Sequence, residues 1–174
     1  MRASPATARS PRGYRAGQRG RAAKGWRVVD GVQLQVRLLR PGAVLPARQS
    51  AQASGFDLHA CLDGETLEVG TQPVRVPTGV AIAAPPGTDV QIRPRSGLFA
   101  RGVIGGLGTI DADYRGELFV TLYCLPVPGH YVVHDGERIA QLVVARLAPV
   151  EWTRVERLDD TARGAGGHGS TGRD

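Results

Sequence analysis

Several residue types are scarce in this chain of 174 residues, and each scarcity narrows what the chain can be. The two cysteines, Cys61 and Cys124, lack the C-x-x-C spacing of zinc and redox sites, which favours a reduced, cytoplasmic protein. Lys24 is the only lysine and no G-x-x-x-x-G-K-[ST] loop is present, so any phosphate site must use arginine, hydroxyl and backbone N–H groups. No apolar run approaches the length of a membrane span or a signal-peptide core, so the sequence predicts no membrane contact.

The positive charge of the chain is concentrated at one end. Residues 1–30 hold eight of the 22 Arg and Lys residues and one of the 16 acids, so they carry a net charge of +7 while the remainder carries −1. This segment is Arg-rich and interrupted by Gly and Pro, which is typical of a disordered extension. We interpret it as a solvated extension, or as residues upstream of the true start, rather than as a nucleic-acid-binding arm.

Beyond residue 30 the hydrophobic pattern is that of β-strands. Val32, Leu34, Val36 and Leu38 alternate with polar residues, as expected of a strand with one face in water. Similar runs recur at TLEV, VRVPTGVAIA, DVQI, ELFVTLYCL, HYVV, RIAQLVVARL and EWTRVERL, separated by Gly and Pro clusters typical of turns. The pattern predicts an all-β sandwich, jelly roll or barrel with one helical turn at SGLFARG, residues 96–102.

Two patterns that suggest other chemistry are weak. His130 and His134 lie on one strand face, but no third His, Cys or carboxylate follows at ligand spacing, which favours a surface pair over a metal site. Gly164, Gly166 and Gly169 match G-x-G-x-x-G, but only five residues follow and no helix can open there, which excludes a dinucleotide-binding fold at this position.

RPRSGL, residues 93–98, places two arginines beside a Ser-Gly turn. Guanidinium groups and exposed backbone N–H groups suit phosphate oxygens, but an ordinary solvated turn has the same composition. The residues of this stretch alone leave both interpretations open.

GGLGTIDADYRGEL, residues 105–118, carries the strongest signal. Strand alternation puts Asp111 and Asp113 on one face and Ala112 and Tyr114 on the other, unless a bulge intervenes. The preceding glycines weaken a strand without structural gain, which indicates that the backbone there closely approaches something else. A solvated hairpin is the alternative.

Five segments taken together resemble the five motifs of the trimeric dUTP diphosphatases. In order, they are ASGFDLHA (53–60), RPRSGL (93–98), GTIDADYRGE (108–117), GERIAQLV (136–143) and RGAGGHGSTG (163–172). The resemblance runs from about Val32 to the end of the chain. It implies a distorted β-barrel or jelly roll over residues 31–160 and a flexible arm over residues 161–174 that closes over the substrate.

This resemblance also implies an activity and its site. Members of this family hydrolyse dUTP to dUMP and pyrophosphate with Mg²⁺, in a homotrimer whose sites are shared between subunits. Such an enzyme limits uracil incorporation into DNA and supplies dUMP for thymidylate synthesis. By resemblance, Asp111 activates the attacking water, Tyr114 packs under the deoxyribose and excludes a 2′-OH, and the main chain around Gly108, Thr109, Ile110 and Phe119 reads uracil.

The remaining motif residues are assigned to phosphates, metal and closure. By resemblance, Arg95, Ser96, Gly97 and Gln141 hold the phosphates, and Asp57 binds Mg²⁺ through water. The residues that close over the nucleotide are Arg163, Gly167, His168, Gly169, Ser170 and Thr171.

Two residues depart from the family pattern. His168 stands where the family usually has Phe, and imidazole stacks on a base with less area. Phe56 stands where a smaller residue is commoner, and the sequence offers no reason for it.

Three other functions are compatible with parts of the sequence. A dCTP deaminase of the same fold shares a phosphate-binding arginine and serine, but it is expected to lack the complete DADYRGE segment. A nucleotide-sensing module is a second alternative. A nucleic-acid-binding protein is the third, and it rests on residues 1–30 alone.

Overall fold

The computed structural model describes residues 31–166, and this range contains ten strands and one short helix. In chain order they are β1 (Gln35–Leu38), β2 (Phe56–His59), β3 (Thr66–Val69), β4 (Val74–Ala83), β5 (Thr88–Pro94), α1 (Ser96–Phe99), β6 (Val103–Gly105), β7 (Gly108–Ile110), β8 (Glu117–Cys124), β9 (Tyr131–His134) and β10 (Arg138–Arg146). The expectation of an all-β fold is confirmed.

The strands form two four-stranded sheets and one two-stranded sheet. Sheet A has the order β1-β4-β8-β6, sheet B the order β2-β10-β5-β7, and β3 pairs with β9. Every pairing is antiparallel. Within residues 31–166 the sheets are open, and their strands do not close into a barrel.

The inner faces of the sheets share one hydrophobic core. In β8, intermediate and buried residues alternate along the whole strand, so that Leu118, Val120 and Leu122 point inward and are fully buried. Leu58 and Ile92 of sheet B belong to the same cluster. Because burial of one such side chain contributes about 1.5–3 kcal/mol, the period-two pattern fixes which face of each strand turns inward.

Most of the predicted strands are found, and the helical turn is confirmed as α1. One predicted strand is wrong: no strand forms over EWTRVERL, residues 151–158. Its apolar side chains are exposed, Trp152 at 95% and Leu158 at 78%, so the described part of the chain offers this segment no partner strand. The first strand also begins later than predicted, since Val32 and Leu34 precede β1.

Strand alternation is also wrong for DADY, residues 111–114. β7 ends at Ile110, and the Tyr114 N–H donates to the Asp111 carbonyl over 3.0 Å, so these residues form a turn. This hydrogen bond joins residues three positions apart, which is the bond of a β-turn, so the chain reverses here before β8 begins.

No helix within residues 31–166 has the length and apolar character needed to cross a membrane.

Candidate active site

The turn after β7 presents Asp111 to solvent. Arg115, which is exposed, donates to the Ala112 carbonyl over 2.7 Å and to the Tyr114 carbonyl over 2.8 Å, and both bonds lie within the turn. Asp111 is exposed, and its carboxylate takes part in no hydrogen bond or ion pair recorded within residues 31–166. The turn therefore holds an available proton acceptor on a fixed backbone.

A cleft of about 230 Å³ opens beside this turn, between β7 and β8. Its walls are formed by Arg75, Thr109, Ile110, Asp111, Tyr114, Glu117, Leu118, Phe119 and Thr121. The two strands diverge here because β6 pairs with β8 only over Leu122–Cys124, while β7 pairs with β5 in the other sheet.

The edge of β8 along this cleft has no partner strand among residues 31–166. Thr121 accepts from the Gly106 N–H on this side, and the Glu117 carbonyl accepts from the Tyr114 hydroxyl on the same side. Because peptide groups of alternate residues point the same way along a strand, the peptide of Phe119 also faces the cleft. An unpaired donor and acceptor therefore line this wall.

Tyr114 is fixed by two features of the same turn. Its hydroxyl donates to the Glu117 carbonyl over 2.9 Å. A side chain at Gly116 would overlap the Tyr114 ring and hydroxyl, so glycine is required there by space. The ring consequently lies at the mouth of the cleft, 41% exposed.

The carboxylate of Glu117 ties the cleft wall to β4. It accepts from Arg40 over 2.6 Å and from the Gly79 N–H over 2.7 Å. Gly79 lies in an irregularity of β4, with a positive φ of 66° that disfavours other residues. The sequence pattern gave no sign of this contact because the three partners are far apart in the chain.

A second group of polar residues lies on the outer face of sheet B. Asp57, Gln141 and Arg93 stand directly opposite one another on β2, β10 and β5. Gln141 donates from its side-chain amide to the Pro94 carbonyl over 3.0 Å. A Cβ on Gly55 would overlap the Gln141 side chain. The glycine in the first motif therefore leaves the space that the glutamine of the fourth motif occupies.

Two guanidinium groups face Asp57 in this group. Arg138 lies 3.2 Å from one carboxylate oxygen and Arg95 lies 3.9 Å from the other. Arg95 also donates to the Arg138 carbonyl over 2.6 Å, and its own carbonyl accepts from the Leu98 N–H at the start of α1. Asp57 thus orients Arg95 but leaves the two guanidiniums with one excess positive charge, which suits an anion.

His59 lies beside this charged group. Burial is the main reason that its pKa is lowered, Asp57 opposes the effect, and the charges of Arg138 and Arg95 add to it. Its Nδ1 atom is buried without a partner among the described residues. The imidazole is therefore neutral near neutral pH and does not add to the charge.

Arg101 supports the turn at RPRSGL, residues 93–98. Its Nε donates to the Gly97 carbonyl over 3.3 Å, and its guanidinium stacks on Tyr131 at 5.1 Å from the ring centre. The Tyr131 hydroxyl in turn donates to Glu137 in a short hydrogen bond. Burial and this bond raise the pKa of Tyr131, so the hydroxyl keeps its proton.

Phe56, which the sequence left unexplained, has a local partner. The guanidinium carbon of Arg48 lies 4.4 Å from the centre of its ring, and the ring packs against the core. The bridge between Ala47 and Asp57 holds the loop before β2 against this strand, so the loop covers the phenylalanine ring.

The motif residues fall into two groups. Thr109, Ile110, Asp111, Tyr114 and Phe119 line the cleft, and Gly108 begins the strand that forms one of its walls. Asp57, Arg95 and Gln141 form the group on sheet B, and Ser96 and Gly97 are exposed on α1 beside it.

Residues of the sheet B group are absent from the described lining of the cleft. Arg163 is exposed and donates to the Gly166 carbonyl. The sites predicted at Gly167, His168, Gly169, Ser170 and Thr171 lie outside the described residues.

Four residues that sequence reasoning missed contact the predicted ones. Arg138 faces Asp57, Glu117 and Arg75 line the cleft, and Arg101 supports Gly97. Arg138 and Glu117 belong to two of the five motifs. Their charge within those motifs was the one feature of the sequence that could have predicted a role for them. Arg75 and Arg101 carried no such signal.

Comparison with known proteins agrees with this architecture. The sequence model of the dUTPase family matches residues 42–172. The deoxyuridine 5'-triphosphate nucleotidohydrolase of Wolinella succinogenes is 48% identical over 147 residues, covering 81% of this chain and 96% of that protein. The enzyme of the same name from Desulfotalea psychrophila is 48% identical over 132 residues, covering 74% and 87%.

Solved structures give the same result. A variant of the dUTPase of Staphylococcus bacteriophage 80alpha, bound to dUpNHpp, has a TM-score of 0.70 at 28% identity and covers 81% of this chain and 99% of its own. A variant dUTPase from phage phi11 of S. aureus, described for the coordination of a structural Mg(II) ion, has a TM-score of 0.64 at 25% identity, covering 72% and 97%. The chain belongs to the dUTPase family.

Proposed function

We propose that this protein hydrolyses dUTP to dUMP and pyrophosphate, with Asp111 as the base that activates water for attack on the α-phosphorus. The observation that carries this proposal is the Asp111 carboxylate, which is exposed without a recorded partner at the rim of a cleft of nucleoside size. Phosphoryl transfer asks mainly for positioning and charge stabilisation, so one oriented base beside a cationic group suffices.

Uracil is read by the main chain in the cleft. The peptide of Phe119 offers one donor and one acceptor, which complement the N3–H and carbonyl groups of the base. β7 is the edge strand of sheet B, so alternate peptide groups of Thr109 and its neighbours also point away from β5. A base bound between β7 and β8 can therefore form hydrogen bonds with both strands, as a strand lying between them would.

Phosphates are held by the group on sheet B. Arg95 and Arg138 supply positive charge, the Gln141 side chain points along the same face, and Ser96 adds a hydroxyl and a backbone N–H. A guanidinium fork matches phosphate oxygens in geometry and charge, which accounts for the use of arginine in a chain with one lysine.

The residues of this group fit Mg²⁺ as a partner of the triphosphate. No cluster of three His, Cys, Asp or Glu residues exists within residues 31–166, and Asp57 is the one carboxylate in the sheet B group. Mg²⁺ keeps several waters and is commonly held by one or two carboxylates and substrate phosphates. Asp57 would hold it through water, and the ion, when bound, supplies positive charge that offsets the triphosphate.

The assembly is a homotrimer with shared sites. Two observations support this proposal: no residue of the sheet B group lines the cleft in the described chain, and the segment after β10 exposes Leu147, Val150 and Trp152. Exposed apolar residues in an extended segment are suited to pairing with another subunit. The residues after Thr161 then act as the arm over a neighbour's nucleotide.

In the cell, this reaction limits uracil incorporation into DNA and supplies dUMP, and we place it in the cytoplasm. Pyrophosphate release measured with dUTP, dTTP, dCTP and UTP tests the reaction. We expect rapid release from dUTP only, because a 5-methyl group, a 4-amino group and a 2′-OH each conflict with the cleft. Ammonia release from dCTP would instead identify a deaminase.

Replacement of Tyr114 by alanine is expected to reduce the dUTP-over-UTP ratio of kcat/KM about tenfold, because the ring is the proposed barrier to the 2′-OH. Tyr114→Phe is the matched control, since it keeps the ring and loses only the bond to the Glu117 carbonyl. We expect the control to retain the selectivity of the wild type. An unchanged ratio in the alanine variant would assign the discrimination to another residue.

A further inference from the structure

Arg75 lies on the outer face of sheet A at the cleft. It stands opposite Thr121 across the β4–β8 pair and diagonal to Phe119, which is opposite Pro77. Its guanidinium carbon is 4.2 Å from the centre of the Phe119 ring. Stacking on an aromatic face holds a guanidinium in a defined plane, so the side chain is oriented although it is exposed.

The N–H groups of Arg75 have no recorded acceptor within residues 31–166. Stacking engages the face of the guanidinium and leaves its five donors directed outward in its plane. Glu117, a carboxylate on the same wall, is already engaged by Arg40 and by the Gly79 N–H. An oriented cation with unused donors therefore faces the volume that Asp111 and Tyr114 also line.

We propose that Arg75 is a specificity-determining residue that donates a hydrogen bond to the C4 carbonyl oxygen of a uracil base in the cleft. This inference rests on the proposed binding of the nucleoside there. It adds a charged side-chain donor to a recognition that otherwise uses peptide groups.

The chemistry of the donor decides which base is favoured. Uracil presents two carbonyl oxygens, whereas cytosine carries an amino group at C4 in place of one of them. A guanidinium can only donate, so it pairs with a carbonyl and opposes an amino group. Arg75 therefore strengthens the preference for dUTP over dCTP.

The test compares kcat/KM for dUTP and dCTP in the wild type and in Arg75→Leu. We expect the ratio of the two values to fall about tenfold, mainly through a higher KM for dUTP, as for the loss of one charged contact to a base edge. Arg75→Lys keeps the charge but does not stack in a plane, and we expect its ratio to lie near that of the leucine variant.

Arg37→Leu is the matched control, because it removes the same charge from the exposed edge strand β1. We expect the control to keep the ratio of the wild type. Circular dichroism establishes that each variant is folded, and Arg75→Met, which keeps the apolar stem over Phe119, provides a second variant if the leucine variant is not.

Two results would overturn the proposal. An unchanged dUTP-over-dCTP ratio would show that Arg75 does not contact the base. An equal loss for both nucleotides, restored by lysine, would assign Arg75 to general attraction of the triphosphate. Tyr114→Ala separates this result from failure of the proposed nucleoside site. A selectivity that changes in Tyr114→Ala but not in Arg75→Leu overturns only the role of Arg75, whereas unchanged ratios in both variants would place the nucleoside outside the cleft.

Discussion

Asp111→Asn is expected to lose turnover by about 10²–10⁴-fold while it keeps its fold and its affinity for nucleotide. Asparagine has the shape of aspartate but cannot accept the proton of the attacking water. The turn is held by backbone bonds and by Arg115 rather than by the Asp111 side chain, so the substitution leaves the backbone in place. Single-turnover measurement with dUTP, together with binding of dUpNHpp, separates chemistry from affinity.

Asp113→Asn is the matched control for this prediction. Asp113 lies in the same turn, is exposed and loses the same charge, but it does not line the described cleft. We expect turnover within a few-fold of the wild type, since Asp113 does not line the cleft and salt weakens the effect of its exposed charge. A turnover of Asp111→Asn within about tenfold of the wild type would contradict its role as the base.

The second large effect is complementation between two inactive chains. One chain carries Asp111→Asn with its arm intact, and the other is truncated after Asp160 with Asp111 intact. If each site takes its turn and its arm from different subunits, mixed trimers contain complete sites. For random trimers mixed one to one, about one quarter of the sites should be competent by symmetry counting.

Co-expression, mass determination of the mixed trimers and dUTP hydrolysis measure this effect. Each chain alone serves as the baseline, because neither forms a complete site. If the arm instead folds back onto its own subunit, every site has either an intact Asp111 without an arm or an arm with Asp111→Asn. Mixing the two chains then restores no dUTP hydrolysis. Mixed trimers without activity would refute the shared site while leaving the chemistry of Asp111 untouched.

Strand positions could be predicted from the sequence where one face of a strand is buried. β8 carries a long period-two pattern because its alternate residues enter the core of the same chain, whereas β4 is buried without interruption from Thr78 to Ile82. EWTRVERL carries a strand-like pattern without a partner in the described chain, so pattern alone predicted a strand that is absent. DADY has the spacing of a strand, but a backbone bond between Tyr114 and Asp111 makes it a turn.

The composition of the candidate site could be predicted, but its arrangement could not. Motif residues were found by resemblance, whereas the row of Asp57, Gln141 and Arg93 follows from the register of three strands that no local pattern encodes. Arg75 was missed for the same reason. The orientation of Arg75 depends on Phe119, which lies 44 positions later in the sequence and becomes its neighbour only through the pairing of β4 with β8.

The carboxylate of Glu117 has a consequence for the motions of this protein. It joins Arg40, 77 positions earlier, and the Gly79 amide, 38 positions earlier, while the carbonyl of the same residue holds the Tyr114 hydroxyl. The cleft wall cannot open without releasing the irregular segment of β4 and the loop after β1. Opening of the cleft is therefore coupled to opening of sheet A. The buried Gly79 amide exchanges its hydrogen with solvent only when the cleft wall, the irregular segment of β4 and the loop after β1 open together.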